Sequence, residues 1–391
     1  MATTTQLAKS TAPPRTKPLG RIAPLILAAC FLLDVALRLV PPEWSSFRAW
    51  EAVRKFPLAS GPFTPSYAYR NTKSYGDLAN MANLPGLRSY RLEIFHSDRR
   101  GFRNRSEPAV PFRGILLTGD SFAAGSGVSD GDALGEQLAA ASGVPVYNAA
   151  GWALSLRQVS NLRMSCGLVI WEMSERGSEG IPLQENVAED LDQDLKWRLL
   201  HRIADHRTYV LLYGLWSYSP LRVLFSRAIR SLQNDRILPN PERNEVVVAR
   251  LRNGDEFLFL PSEVKNYQQD RPTDPSLLLR VQSQLAARGI AFLVLLVPDK
   301  YVVYHDLLLT PGNQPGHGLW TDIAAERLRS VNIPAVNLTH LFRTNAERLL
   351  ASRSYLYWPD DSHWSAEGIR EAATEIVRSG AAQAQTCRPA P

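Results

Sequence analysis

Residues 291–297 read Ala-Phe-Leu-Val-Leu-Leu-Val, seven apolar side chains without a polar interruption. A strand with one face in water alternates apolar and polar residues, whereas a strand covered on both faces has no need to. The run at 168–171, Leu-Val-Ile-Trp, is continuous in the same way, and shorter candidates at 115–118, 145–148 and 334–338 bring the set to five. Strands of this kind need helices on both sides. Leu277 to Arg288 reads as one helix, closed by Gly289. Ser365 to Ser379 reads as another, with Ser365 as N-cap and Ile369, Ala373, Ile376 and Val377 on one face. The expected fold is α/β, a flavodoxin-like doubly wound parallel sheet.

The first strand carries the candidate chemistry. In Gly114-Ile-Leu-Leu-Thr-Gly-Asp-Ser-Phe122 an apolar run stops at Gly119, which permits a sharp turn, and Ser121 follows at the strand's carboxyl end and the start of a helix. Ligands bind at that edge of open α/β sheets, and backbone N–H groups at a helix start can stabilise an oxyanion. A serine there becomes a nucleophile only if a base takes its proton. Trp358-Pro-Asp-Asp-Ser-His-Trp-Ser365 supplies one. His363 is the one histidine of seven with aspartates both two and three positions before it. A carboxylate so placed can fix the tautomer of an imidazole and stabilise its protonated form.

With Gly119-Asp120-Ser121-Phe122 near its start and an Asp-x-His or Asp-x-x-His near its end, the chain resembles the GDSL/SGNH hydrolases. Val169-Ile-Trp-Glu-Met-Ser-Glu-Arg176, Val297-Pro-Asp-Lys-Tyr301 and Asp361-Ser-His-Trp364 are similar to three ordered segments of the alginate (polysaccharide) O-acetyltransferase group of that superfamily. The resemblance covers residues from about 95 to about 380 and implies an SGNH-type fold. It also implies a catalytic Ser121, with His363 as base and either Asp361, from the closer group's pattern, or Asp360, from the wider one, orienting it. An oxyanion hole would use the N–H groups of Ser121 and Gly151. Ordinary members carry Gly-x-Asn-Asp after the third strand, and this chain has Trp171-Glu-Met-Ser-Glu-Arg176 there. Arg176, Glu172 and Trp364 become substrate-binding candidates. Arg176 would face an anionic sugar or acyl donor, unless it forms an i,i+4 pair with Glu172.

The rest of the chain sets the context. Of 391 residues, 45% are hydrophobic and 21% charged, as in a globular protein with a core. The net charge of +6 is spread among scattered arginines with no dense basic tract, which argues against nucleic acid. Three cysteines, Cys30, Cys166 and Cys387, form no C-x-x-C; Cys166 reads as a small buried hydrophobe and Cys387 as incidental. No metal or organic cofactor is indicated.

Residues 1–21 read as a disordered basic arm and 22–40 as a transmembrane anchor. In that anchor Asp34 can pair with Arg38, and Pro41-Pro42 and Trp44 follow as stop and interfacial anchor. Residues 41–113 read as a connecting region in which 96–104 forms either a charged surface turn around Gly101 or a substrate-contacting stretch. An SGNH hydrolase-like domain spans 114–380, and 381–391 is a tail. An insertion at about 177–275 is expected to border the site. It holds a helical stretch over 185–232, whose Trp197, Tyr209, Tyr213, Trp216 and Phe225 read as packing, and a hairpin around Asn253-Gly254.

The resulting expectation is a single-pass protein of the inner (cytoplasmic) membrane with its catalytic domain on the periplasmic side. It would O-acetylate an exported polysaccharide through an acyl-Ser121 intermediate, with the acyl donor delivered by a membrane partner. An SGNH acylhydrolase, or a non-catalytic polysaccharide-binding component of an export complex, are the alternatives.

Overall fold

The computed structural model describes residues 19–37, 39, 46–53, 61–151, 157–176, 221, 224–225, 228–229, 232, 246–268, 274–312, 314–315 and 318–380. In chain order the elements used below are α1 (Leu19–Leu37), α2 (Ala49–Val53), β1 (Ala68–Ser74), α3 (Asp77–Met81), β2 (Arg91–His96), β3 (Ile115–Thr118), α4 (Leu134–Ser142), β4 (Val146–Asn148), α5 (Arg157–Asn161) and β5 (Gly167–Ser174). There follow β6 (Val247–Arg250), β7 (Glu256–Phe259), α6 (Pro261–Asn266), α7 (Ser276–Ala286), β8 (Ile290–Val297), α8 (Lys300–Tyr304), α9 (Trp320–Ser330), β9 (Ala335–Asn337), α10 (Thr339–Leu350) and α11 (Ala366–Arg378).

Five strands form one parallel sheet in the order β4-β3-β5-β8-β9. Numbered among themselves they run 2-1-3-4-5, the flavodoxin-like order, whose switch point lies beside the first strand. Both faces are covered, which is why β5 and β8 show no polar alternation. Successive side chains of a strand point to opposite faces. Leu293, Leu295 and Val297 of β8 enter one apolar layer with Leu134 and Leu138 of α4, Phe342 of α10 and Ile369 and Ile376 of α11. Phe292, Val294 and Leu296 enter the other with Val159 of α5, Val281 and Leu285 of α7 and Ala324 and Leu328 of α9.

The five strand candidates, the helices over 277–288 and 365–379 and the hairpin at Asn253-Gly254 all correspond to observed elements. The connecting region is more than a connection. β1 and β2 pair antiparallel within it, and Trp50, Phe63, Tyr69 and Phe95 join the layer that contains α11. Its residues 96–104 do turn around Gly101, φ +81°, with Arg99 exposed, but Asp98 and Arg103 are buried, so the stretch is only partly a surface turn. Ser121 does not open a regular helix: residues 121–127 are a run of turns, Gly125 and Gly127 have positive φ, and the helix starts only at Leu134.

Cys166 is half-buried and disulfide-bonded rather than a buried thiol, Cys30 is free, and Cys387 lies outside the described residues. Also outside are residues 1–18, Arg38, Pro41, Pro42, Trp44, the tail at 381–391 and most of the stretch at 177–245, including Trp197, Tyr209, Tyr213 and Trp216. Phe225 is described and exposed, so packing does not account for it. α1 has 19 residues, about 28 Å at 1.5 Å per residue, and exposes Leu25, Leu27, Phe31 and Leu32. No helix among the described residues is long and apolar enough to cross a membrane.

The N-cap of α11 gives the fold a direct test. Ser365 Oγ accepts the N–H groups of Glu367 and Gly368 at 3.2 and 3.3 Å. Ser365→Ala is expected to lower the free energy of unfolding by about 1 kcal/mol in a urea titration, with the slope of the transition unchanged.

Candidate active site

The turn after β3 is built from below. Gly119 has φ +146°, and a Cβ there would lie 2.5 Å from Glu172 Oε2, so only glycine lets the chain pass over that carboxyl. Glu172 Oε2 accepts the N–H groups of Asp120 at 3.1 Å and Ala123 at 3.4 Å. Burial, and then the charge of Asp120, push the Glu172 carboxyl well above its ordinary range. Asp120 accepts the N–H of Phe122 at 2.8 Å and the hydroxyl of Ser174 at 2.6 Å. Arg103 closes the far side of the loop by donating to the carbonyls of Ala124, Gly125 and Val128 and to Asp130. Arg103 thus pins the end of the run of turns at 121–127. The N–H of Ser121 has no hydrogen-bond acceptor among the described residues, so it is open to an oxyanion.

The second turn runs between Tyr357 and Trp364, which form an isolated antiparallel bridge. With its proton on Nδ1, His363 donates to Asp361 Oδ1 at 2.7 Å, and its Nε2 lies 2.8 Å from Ser121 Oγ. Asp361 Oδ2 accepts from Arg91 at 2.9 Å and Arg48 at 3.2 Å. Burial would raise the Asp361 carboxyl, but Arg48, His363 and Arg91 together hold it well below the usual carboxylate range.

Asp360 points the other way, accepting the N–H groups of Gly76 and Ser89 at 2.7 and 2.9 Å and a guanidinium N–H of Arg91 at 3.0 Å. It ties the turn to the N-terminal segment and does not touch the imidazole. Below the turn, fully buried Lys300 donates from Nζ to the carbonyls of Leu258, Trp358, Pro359 and Asp361, at 2.7 to 3.1 Å.

Three expected site residues need correction. Gly151 donates its N–H to the Gly119 carbonyl at 2.9 Å, so it does not face the space beside Ser121 Oγ as a donor. Trp364 is fully buried, and its Nε1 donates to the Phe122 carbonyl at 3.1 Å; it joins the two turns from inside and meets no substrate. Glu172 is likewise buried under the serine turn. It lies on β5, where residues four apart are roughly 13 Å apart, so it makes no i,i+4 pair with Arg176. Arg176 does reach the site. Its Nη2 donates to His363 Nε2 at 3.1 Å, its Nη1 to the Ser362 carbonyl at 3.2 Å, and its guanidinium lies over the Phe122 ring at 4.6 Å.

Several side chains at the site carry no local signal in the sequence. Arg48, Asp77 and Arg91 come from the connecting region, and their partners lie some 270 to 313 positions away. Asp77 accepts the N–H and hydroxyl of Ser362 at 2.8 and 2.6 Å. Asp77, Asp361 and His363 offer ligand atoms within 4.8 Å of one another. Arg48, at 3.2 Å from Asp361 and 3.6 Å from Asp77, already brings a positive charge to both carboxylates of this cluster. Glu263 of α6 is the other unforeseen group. It is 1% exposed, and burial and then Asp299 push its carboxyl up to about 8, against the pull of Arg176 and Lys300.

Two tests follow. Arg91→Met removes one of two cations from a fully buried carboxylate, and a urea titration is expected to show a loss of about 3 kcal/mol. For Glu263, the folded chain keeps a proton that the unfolded chain releases near 4.5. Its contribution to stability is therefore full below that pH and is lost as pH rises through about 8. The thermal midpoint should fall between about pH 5 and about pH 8.5 more steeply in the wild type than in Glu263→Gln.

No curated protein matches the chain. Residues 252–388, the portion that carries β7, Lys300, Asp361 and His363, match the family model of the SGNH hydrolase-like domain of acetyltransferase AlgX.

Proposed function

We propose that the chain is a serine O-acyltransferase that moves an acetyl group onto a hydroxyl of an exported polysaccharide through an acyl-Ser121 intermediate. The observation that carries this reading is the continuous hydrogen-bonded relay Ser121 Oγ, His363 Nε2, His363 Nδ1, Asp361 Oδ1, with both links under 3 Å.

In the first half-reaction His363 Nε2 takes the Ser121 proton as Oγ attacks the acyl carbonyl. The oxyanion forms toward the Ser121 N–H. Asp361, kept ionised by Arg48 and Arg91, stabilises the imidazolium. The intermediate collapses, and the leaving oxygen takes the proton from Nε2. In the second half, the acceptor hydroxyl gives its proton to Nε2 and attacks the acyl-Ser121 ester, and Ser121 leaves with that proton. Hydrolysis would use the same steps with water. The matching family model describes an acetyltransferase's domain, which supports transfer.

A place outside the cytoplasm goes with this function. The basic arm before α1 and the exposed leucines of α1 support an anchor with the remaining chain exported. The disulfide at Cys166 suits an oxidising compartment. A membrane partner would then deliver the acyl group.

The test is turnover of a chromogenic acetyl ester by the full chain in detergent, with and without oligosaccharide acceptors. Ser121→Ala and His363→Ala should abolish the burst of chromophore, and a burst that survives in both variants would defeat the reading. Asp361→Asn should lower kcat by about a thousandfold or more, and Asp360→Asn by less than about tenfold, below the melting range of each variant.

A further inference from the structure

At His363 Nε2 two donors compete for one lone pair. Ser121 Oγ is 2.8 Å away and Arg176 Nη2 is 3.1 Å away. An unprotonated imidazole nitrogen accepts one strong hydrogen bond, so Arg176 occupies a place that the reaction needs for something else. Nε2 must hand its proton to the donor's leaving oxygen in the first half-reaction. It must receive one from the acceptor's hydroxyl, or from water, in the second. Either oxygen has to stand where the guanidinium now stands.

The root of Arg176 is fixed and its head is not tightly held. Its backbone N–H donates to Asp299 Oδ1 at 3.0 Å, just beyond the end of β5. Its guanidinium is attached by the single bond to the Ser362 carbonyl, the contact with Nε2 and the face of Phe122. Glu263 is the one carboxylate among the described residues within ion-pair reach. Its Oε1 lies 3.6 Å from Nη1, too far for a hydrogen bond. Among the described residues neither carboxyl oxygen of Glu263 makes a hydrogen bond of good geometry, the Tyr301 N–H being its one weak backbone donor, although the side chain is buried. Leaving such a group unsatisfied is costly. A short movement of the guanidinium away from Nε2 would satisfy Glu263 and clear the base in one step. With Glu263 pushed up to about 8, its carboxyl is largely uncharged near neutral pH, which accounts for its failure to hold Arg176 already. A protonated carboxyl still offers a carbonyl oxygen to an N–H donor.

We propose that Arg176 is a two-position gate at the base: it covers His363 Nε2 against water and moves onto Glu263 when an acceptor hydroxyl is bound, so that the pair sets the balance between transfer and hydrolysis. The inference rests on the acyl-enzyme reading and deepens it. The chemistry stays balanced. The ester bond to Ser121 Oγ breaks as the acceptor oxygen bonds to the acyl carbon. The acceptor's proton passes by Nε2 to Ser121 Oγ, and Arg176 keeps its charge throughout.

The experiment measures the lifetime of the acetyl-enzyme in water. Full chain in detergent is acetylated with p-nitrophenyl acetate, active serines are counted with a fluorophosphonate, and acetate release is followed per titrated serine. Wild type is compared with Arg176→Ala, Arg176→Gln and Glu263→Gln, and the measurement is repeated with maltohexaose and with a galacturonate hexamer as acceptors. Both Arg176 variants should release acetate about tenfold faster per titrated serine, the effect of removing one hydrogen bond made by a charged donor. In whichever acceptor the wild type acetylates, their ratio of acetylated sugar to acetate should fall by about as much. Glu263→Gln should release acetate at the wild-type rate or more slowly, and where its amide fails to take the guanidinium it should also pass less acetyl to the sugar; faster release of acetate overturns the gate.

Unchanged or slower release in the Arg176 variants overturns the gate. So does loss of fluorophosphonate labelling in both of them, which would make Arg176 part of the scaffold that builds the site. A wild type without a Ser121-dependent burst defeats the acyl-enzyme reading itself. A normal burst with no effect of Arg176 on acyl-enzyme lifetime defeats this inference alone.

Discussion

The structure depends on one buried carboxylate. Asp361 has no exposed side-chain surface and yet is held ionised. A lone charge in that position would cost several kcal/mol or pick up a proton. The fold answers with two guanidiniums from two distant parts of the chain and the imidazole two residues on. Meeting this requirement draws the N-terminal segment onto the sheet domain. Arg48 precedes α2, Arg91 begins β2, and Asp77 begins α3. The same segment is fastened again through Asp360, whose carboxyl caps the backbone at Gly76 and Ser89. The aspartate next to the one that orients the base therefore holds the segment that supplies Asp361's counter-ions.

How much of this was legible follows from where each signal resides. The sheet was readable because burial on both faces leaves its mark within a single strand, as in 291–297. Ser121 and His363 were readable because each sits in a short turn of unusual composition. Asp361 and Asp360 were both in view, but adjacent residues of a turn point in different directions, and only the coordinates separate them. Arg48 and Arg91 were not readable, because a buried ion pair between segments nearly 300 positions apart has no periodicity and no local composition, and Glu263 looks like any acidic residue in the first turn of a short helix. Gly151, Trp364 and Glu172 were assigned to the site by position in the order of segments. They do adjoin it, but each is committed to backbone groups from the inner side. Sequence order gave the neighbourhood correctly and the direction of the side chain incorrectly.

The serine turn shows why the missing Gly-x-Asn-Asp segment does not leave a gap in the fold. At the end of β5 this chain places Glu172, whose carboxyl fills the space under Gly119 and accepts two N–H groups of the turn. Four residues on, Arg176 rises beside the base. β5 and the residues just after it contribute a support beneath Ser121 and a cation next to the imidazole. Positive charge on that side of His363 acts on the oxygen that leaves or enters, rather than on the acyl oxygen. On the proposed acyl-enzyme mechanism, a cation placed there bears on the second reactant more than on the tetrahedral intermediate.

The family match and the structure divide the site in an instructive way. The match covers 252–388, which holds the base, its carboxylate and Lys300, and leaves out the nucleophile at 121 and the arginines at 48 and 91. Within the matched part, Lys300 can organise the histidine turn locally: one ammonium gathers four carbonyls from the β7 strand and the turn. That half is therefore close to self-sufficient in geometry. It is not self-sufficient in charge. Asp361 draws its compensation from β2 and from the segment before α2, and His363 meets its serine only across the switch point of the sheet. A base assembled by one part of the chain becomes effective when another part neutralises its carboxylate and a third presents the hydroxyl. The N-terminal segment thus belongs to the working site as much as to the scaffold.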